Sequence, residues 1–260
     1  MKRLLSFASV LFLIVIITDY SNSAARKPVY SRNGMVVSAS EYASQVGVDI
    51  LKSGGNAVDA AVATAFALGV TEQYSSGIGG GNFIMIYRAD TGDAFAVDGR
   101  EEAPALAHRD MYIDTTTGLP DGNLSRTGIL AGGIPGAVGS LSLALEKYGT
   151  KKLSEVLKPS IMLAEKGFEI NQTYWEHLEY AKPLLAMFED SKNVYFKNDT
   201  TVWQLGDRLV QQDLSWTYKQ LAKHGPDAFY KGEIAEKIVA FEQAHPLADA
   251  YKLADQFLKI

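Results

Sequence analysis

The sequence predicts a mixed α+β domain with its strands early and its helices throughout. Three observations carry this. Apolar residues recur at helical spacing in stretches spread from residue 41 to residue 244. An apolar run at 82–88, a turn at 89–93 and a returning run at 94–98 read as a β-hairpin. A glycine cluster, Gly77, Gly79, Gly80 and Gly81, sits between a buried helix and that hairpin.

Residues 31–40 suggest a turn and then a short buried strand holding Met35, Val36 and Val37. Ser40 is placed to cap a helix, with Glu41 beside its positive end. Ala43, Val46, Gly47, Ile50 and Leu51 share one face of it, and Gly54 and Gly55 stop it. Asn56 and Asp59 form a capping-box-like pair for a second helix over 57–70. That helix is apolar nearly all round and rich in alanine, the mark of a buried helix on which a sheet packs closely.

Past the hairpin, residues 108–114 are amphipathic and 115–126 form a polar loop. Gly132, Gly133 and Gly136 mark a second glycine-rich turn, and a helix follows with Val138, Leu141, Leu145 and Tyr148 on one face. Further helices are expected over 154–166, from the Asn171 cap to about Lys182 before Pro183, from the Asp213 cap to His224, and over 233–244. Residues 191–208 read as a loop with a possible short hairpin.

Composition narrows the function. The 260 residues carry a net charge of −5 with interspersed signs. That argues against a nucleic-acid surface and leaves small anionic substrates open where a local cation receives them. The chain has no cysteine, so thiol nucleophiles and zinc-thiolate sites are excluded. Lys2 and Arg3, an uncharged run at 4–17, and the small residues Ser21, Ser23, Ala24 and Ala25 fit a signal peptide over 1–25. The run is shorter than the roughly 20 residues that span a bilayer, so no stable membrane insertion is expected after cleavage. The expected destination is periplasmic or extracellular, after secretion across the inner membrane. The rival reading is an uncleaved anchor.

The glycine cluster does not read as a nucleotide loop. Asn82 stands where GxGxxG needs its last glycine, and the order is helix, glycines, strand instead of strand, glycines, helix. It reads either as a tight turn under a closely packed sheet or as a pocket wall of bare backbone amides. Arg100, just past the second strand, has two equal readings. It either clamps a substrate carboxylate or pairs internally with Asp98, Glu101 or Glu102. There is no GxSxG elbow, and His108, His177, His224 and His245 lack metal-binding spacing. Neither a metal nor a cofactor is expected.

Seven ordered segments carry a resemblance: GMVVSASEYASQVGVDILKSGGNAVDAAVATAFALGV, SSGIGGGNFIMIY, VDGREEAP, GGIPGAVGSLSLALEKYGT, LAEKGFEIN, GDRLVQQDL and GPDAFYKGEIA. They resemble the large subunit of γ-glutamyltransferase, also called glutathione hydrolase, over about 28–244. The resemblance implies an N-terminal-nucleophile hydrolase with an αββα sandwich. Such a proenzyme cleaves itself, and a threonine freed at the start of its small subunit attacks the γ-glutamyl amide of glutathione. The acyl group then passes to water, an amino acid or a dipeptide. The arginine of the family's D-x-R-E-x-A-P motif holds the γ-glutamyl α-carboxylate, and here it is Arg100.

The resemblance stops at residues 245–260, a divergent tail after the family-like domain of 26–244. No catalytic residue is therefore assigned within this chain, and Thr115, Thr116 and Thr117 read as loop. The expectation is an incomplete sandwich, from a truncated or frameshifted product or one whose remainder is separate. It would be inactive alone, with a small subunit as obligate partner and an apolar sheet face exposed without it. The alternatives are a non-catalytic exported binding module that keeps part of the γ-glutamyl pocket, and a related acylase.

Overall fold

The computed structural model describes residues 28–114 and 116–244. The proposed signal peptide, Thr115 and the tail at 245–260 lie outside the described residues. The chain divides into two packed units, Met1–Met35 and Val36–Ile260. In the first, residues 28–35 carry no helix or strand.

The second unit opens with helix α1, Glu41–Lys52, whose Ser40 hydroxyl accepts a hydrogen bond from the Ala43 amide at 3.4 Å. The strand expected before it does not form. Val37 is 82 % exposed, Met35 is also exposed, and neither belongs to a ladder. A strand needs a neighbour for its backbone groups, and the described residues offer none here. Helix α2, Ala57–Thr71, is buried on nearly every side, with Ala63, Phe66, Ala67 and Val70 fully enclosed. Its capping box forms as the spacing implies, since Asn56 accepts from the Val58 and Asp59 amides while Asp59 accepts from the Asn56 amide.

Asp59 does more than cap. Its two oxygens also accept from the Thr150 amide, the Thr150 hydroxyl and the Lys151 amide at 2.6–3.0 Å. Burial acts to raise its carboxyl pKa, yet these hydrogen bonds prevail and hold it below the usual carboxylate value. One side chain thereby joins the start of α2 to a loop about ninety residues later.

Strands β1, Asn82–Arg88, and β2, Asp93–Gly99, pair antiparallel in unbroken register from Asn82↔Gly99 to Arg88↔Asp93. Gly92 makes the turn at φ +76°. Ile86 is buried, and Ile84 packs against the core. Phe83, Met85 and Tyr87 point away and stand 69–74 % exposed. Helix α3, Ala137–Tyr148, follows the second glycine turn and packs behind the hairpin with α2.

Helix α4, Leu153–Lys166, ends at Gly167, φ +75°, and leads into β3, Phe168–Glu169. Helix α5, Gln172–Leu185, is capped by Asn171 as expected but runs through Pro183. Proline there removes one bond from a last turn that is already closing, so the helix tolerates it. Residues expected to be loop instead begin as helix α6, Glu189–Tyr195, whose acidic first turn suits the helix dipole. The expected hairpin follows as β4, Phe196–Asn198, and β5, Thr201–Val202. Strand β6, Arg208–Leu209, pairs with β3.

Helix α7, Gln212–His224, starts one residue earlier than its predicted cap. Asp213 lies in the first turn, where it complements the dipole, and Gln211 holds the cap position. Helices α8, Asp227–Tyr230, and α9, Glu233–Ala244, complete the described chain. The core gathers around α1, α2, α4 and α7. Tyr218 on α7 is fully buried there and donates to the Phe66 carbonyl at 2.9 Å.

Candidate active-site wall

The loop between α2 and β1 is built from both ends. At its start, Gln73 and Tyr74 are anchored. The buried Tyr174 hydroxyl donates to Gln73 Oε1 at 2.6 Å, and Gln73 Nε2 donates in turn to Gln211 Oε1. Gln211 Nε2 closes the chain on the Val70 carbonyl at 2.9 Å. Burial pushes the Tyr174 phenol well above its ordinary range, so it stays a neutral donor. The Tyr74 ring stacks on His177, with centroids 3.8 Å apart.

The end of the loop is gripped differently. The Gly80 carbonyl accepts from the Gly136 and Ala137 amides at 3.1 and 3.0 Å, fixing the loop to the start of α3. A Cβ on Gly81 would lie 2.5 Å from the Gly99 carbonyl oxygen and 2.8 Å from Arg100 Cα. A Cβ on Gly136 would likewise overlap the backbone of Gly99 and Arg100. These two glycines let three backbone segments meet at the end of β2, and that meeting sets the position of Arg100.

Above the loop lies a cleft of about 910 Å³. Residues 73–81, Arg100, Glu101, residues 193–195 and residues 210–214 line it. Of the two readings of Arg100, the internal pair is the one seen in the structure. Its guanidinium stands 3.1 Å from Glu101 Oε2, and it also lines the cleft. The Arg100 side chain is 61 % exposed, and Glu101 Oε2 is shielded from solvent without receiving a hydrogen bond. The pair is open to water on the arginine side and shielded on the carboxylate side. A second carboxylate would compete with Glu101 for this guanidinium, and displacing the pair would leave the shielded Glu101 Oε2 without its cation.

The support of the cleft brings together residues that the sequence did not connect. Gln73 lies 101 residues from Tyr174 and 138 from Gln211, and no spacing rule joins them. The threonine run stays outside the cleft in its described part. Thr116 and Thr117 donate their amides to Asp114 in a turn.

Known proteins resemble the chain in sequence and in fold. The family described as Gamma-glutamyltranspeptidase matches residues 43–248. The chain belongs to the γ-glutamyltranspeptidase family. It is 47 % identical over 212 residues to the glutathione hydrolase proenzyme of Escherichia coli K12, covering 81 % of this chain and 36 % of that protein. A solved structure of Helicobacter pylori γ-glutamyltranspeptidase matches with TM-score 0.82 and 38 % identity, covering 88 % of this chain and 66 % of that one. A cephalosporin acylase from Bacillus halodurans matches with TM-score 0.79 and 29 % identity, covering 91 % of this chain and 44 % of that one. The fold is thus that of the N-terminal-nucleophile hydrolases. The chain spans about a third of the length of the curated γ-glutamyltranspeptidase relatives it matches.

Proposed function

We propose that this chain supplies one wall of a γ-glutamyl site, with Arg100 binding the α-carboxylate of the γ-glutamyl group of glutathione. The reading rests on Arg100 and the glycine loop lining one cleft. Guanidinium suits the task because its planar fork meets a carboxylate with two parallel hydrogen bonds.

The reaction needs a nucleophile, which this reading places in a small subunit, at the N-terminal threonine of a partner polypeptide. The hydroxyl attacks the γ-carbonyl carbon while the threonine's own α-amine takes the proton. The amide bond breaks, the amine leaves with a proton, and the γ-glutamyl ester passes to water, an amino acid or a dipeptide. Arg100 holds the far end of the substrate throughout, so its part is orientation, converting a chance encounter into a fixed approach. The exposed face of Phe83, Met85 and Tyr87 is where that partner would pack. The N-terminal 1–25 would direct export to the periplasm or outside the cell. Among the described residues no helix is long and apolar enough to cross a membrane.

The test is a γ-glutamyl anilide assay on this chain alone and on the chain assembled with the nucleophile-bearing polypeptide. The chain alone should give no turnover and the assembly should give turnover. Arg100→Ala should weaken substrate binding by about 2–5 kcal/mol, the loss expected when one partner of a desolvated charge pair is removed. Unchanged affinity in a folded, active assembly would remove Arg100 from the site.

A further inference from the structure

Two glycines in the cleft wall have no explanation inside the described chain. Gly80 and Gly81 are crowded by Glu101 and by the backbone of Gly99 and Arg100. Gly77 and Gly79 differ. A Cβ on either would meet nothing within 4 Å, and neither has a positive φ. Conformation and packing would both allow alanine there. Glycine also costs backbone entropy, so an unforced glycine on a cleft surface points to something that approaches the backbone from outside.

The amides nearby support this. Among the described residues, no backbone or side-chain acceptor takes the N–H of Gly77, Ile78 or Gly79. These three residues line the cleft, in a loop held at both ends, by Gln73 and by Gly80. Successive free amides in a fixed loop make a concavity suited to an anionic oxygen. The wall thus carries two carboxylate receptors, the Arg100 guanidinium and this strip of amides.

Resting on the γ-glutamyl reading, we infer that the amides of Gly77–Gly79 bind the second carboxylate of the substrate, the one at the C-terminus of the departing peptide. Spacing allows it. Gly79 is two residues from Gly81, which abuts Arg100, and Gly77 two further, within reach of about 14 Å at most. An extended three-residue peptide separates its terminal groups by about 10 Å. The ligand class is therefore a γ-glutamyl peptide with a free C-terminal carboxylate, bound at both ends. A γ-glutamyl amide with an uncharged leaving group would engage Arg100 alone.

The experiment compares Gly77→Ala, Gly79→Ala and Gly79→Pro, which deletes one donor, in the assembled enzyme. Two substrates are used, glutathione and an uncharged γ-glutamyl anilide, with thermal melting as the fold control. The expected result is a KM for glutathione raised about tenfold or more, with KM for the anilide within twofold of wild type. Esterifying the glutathione glycine carboxylate should abolish the difference between wild type and variants. Equal losses on both substrates would overturn the inference, since the loop would then serve the γ-glutamyl end. Unchanged KM for both would overturn it as well, and so would a loss of assembly regardless of substrate, which would mean that the glycines make room for the partner polypeptide. A wild-type assembly inactive on the anilide would instead count against the γ-glutamyl reading itself.

Discussion

Replacing Gly81 by alanine probes the contact on which the cleft wall depends. The added Cβ would sit 2.5 Å from the Gly99 carbonyl oxygen, 2.8 Å from Arg100 Cα and 2.9 Å from the Glu101 amide nitrogen. All three are backbone atoms, so no rotamer change relieves the overlap. The loop must separate from the end of β2, or the hairpin must tilt. Gly81 has no positive φ, so the whole effect is steric. Overpacking of this kind costs about 1–3 kcal/mol, and the immobile neighbours place Gly81→Ala toward the upper end. In urea, with a slope of about 1–3 kcal/mol/M, the midpoint should fall by roughly 1 M without a change in slope. The same displacement should move Arg100 and weaken γ-glutamyl binding in the assembled enzyme. Gly77→Ala is the matched control, since nothing lies within 4 Å of its Cβ, and its stability should stay within about 0.5 kcal/mol of wild type. A Gly81→Ala protein as stable as wild type, with intact binding, would refute the claim that this contact positions Arg100.

Asp59→Ala should destabilise by about 3–5 kcal/mol, because it strands donors from Asn56, Thr150 and Lys151 in a buried site; chemical denaturation reads this directly. Asp59 is also acid-sensitive. Its folded pKa is depressed, so its contribution is complete above the unfolded value of about 3.9 and is lost as pH falls through the folded value. Wild type should therefore lose stability below about pH 4 more steeply than Asp59→Asn, and parallel acid-denaturation curves would count against the assignment. Met85→Asp, on the exposed hairpin face, should make the isolated chain more soluble while lowering its affinity for the nucleophile-bearing partner. Light scattering and a pull-down with that partner check the two halves. Improved solubility with undiminished association would place the partner elsewhere.

Much of the fold was legible because its signals are local. Ser40, Asn56 with Asp59, and Asn171 cap helices through atoms two or three residues away, and each does so in the structure. The β1–β2 hairpin followed from two apolar runs around one turn. Elements misjudged from sequence depended on what lay beside them. Residues 31–40 have strand-like composition but no neighbouring strand among the described residues. Helix α5 passes through Pro183 because only its final turn remains to be closed. The aromatic, polar stretch beginning at 191 starts in a helix because Glu189 and Asp190 favour a helix N-terminus just before it.

The sequence by itself determined the family segments, the hairpin, the glycine loop and the presence of Arg100 at the end of β2. Each is a pattern within a few dozen residues, and chain connectivity alone keeps its parts close. Only the tertiary structure decided which of the glycines are required by packing, and that Gln73, Tyr174 and Gln211 jointly hold the loop. It also placed Arg100 both beside Glu101 and at the cleft. These are contacts between distant segments, made by tertiary packing rather than by any spacing along the chain.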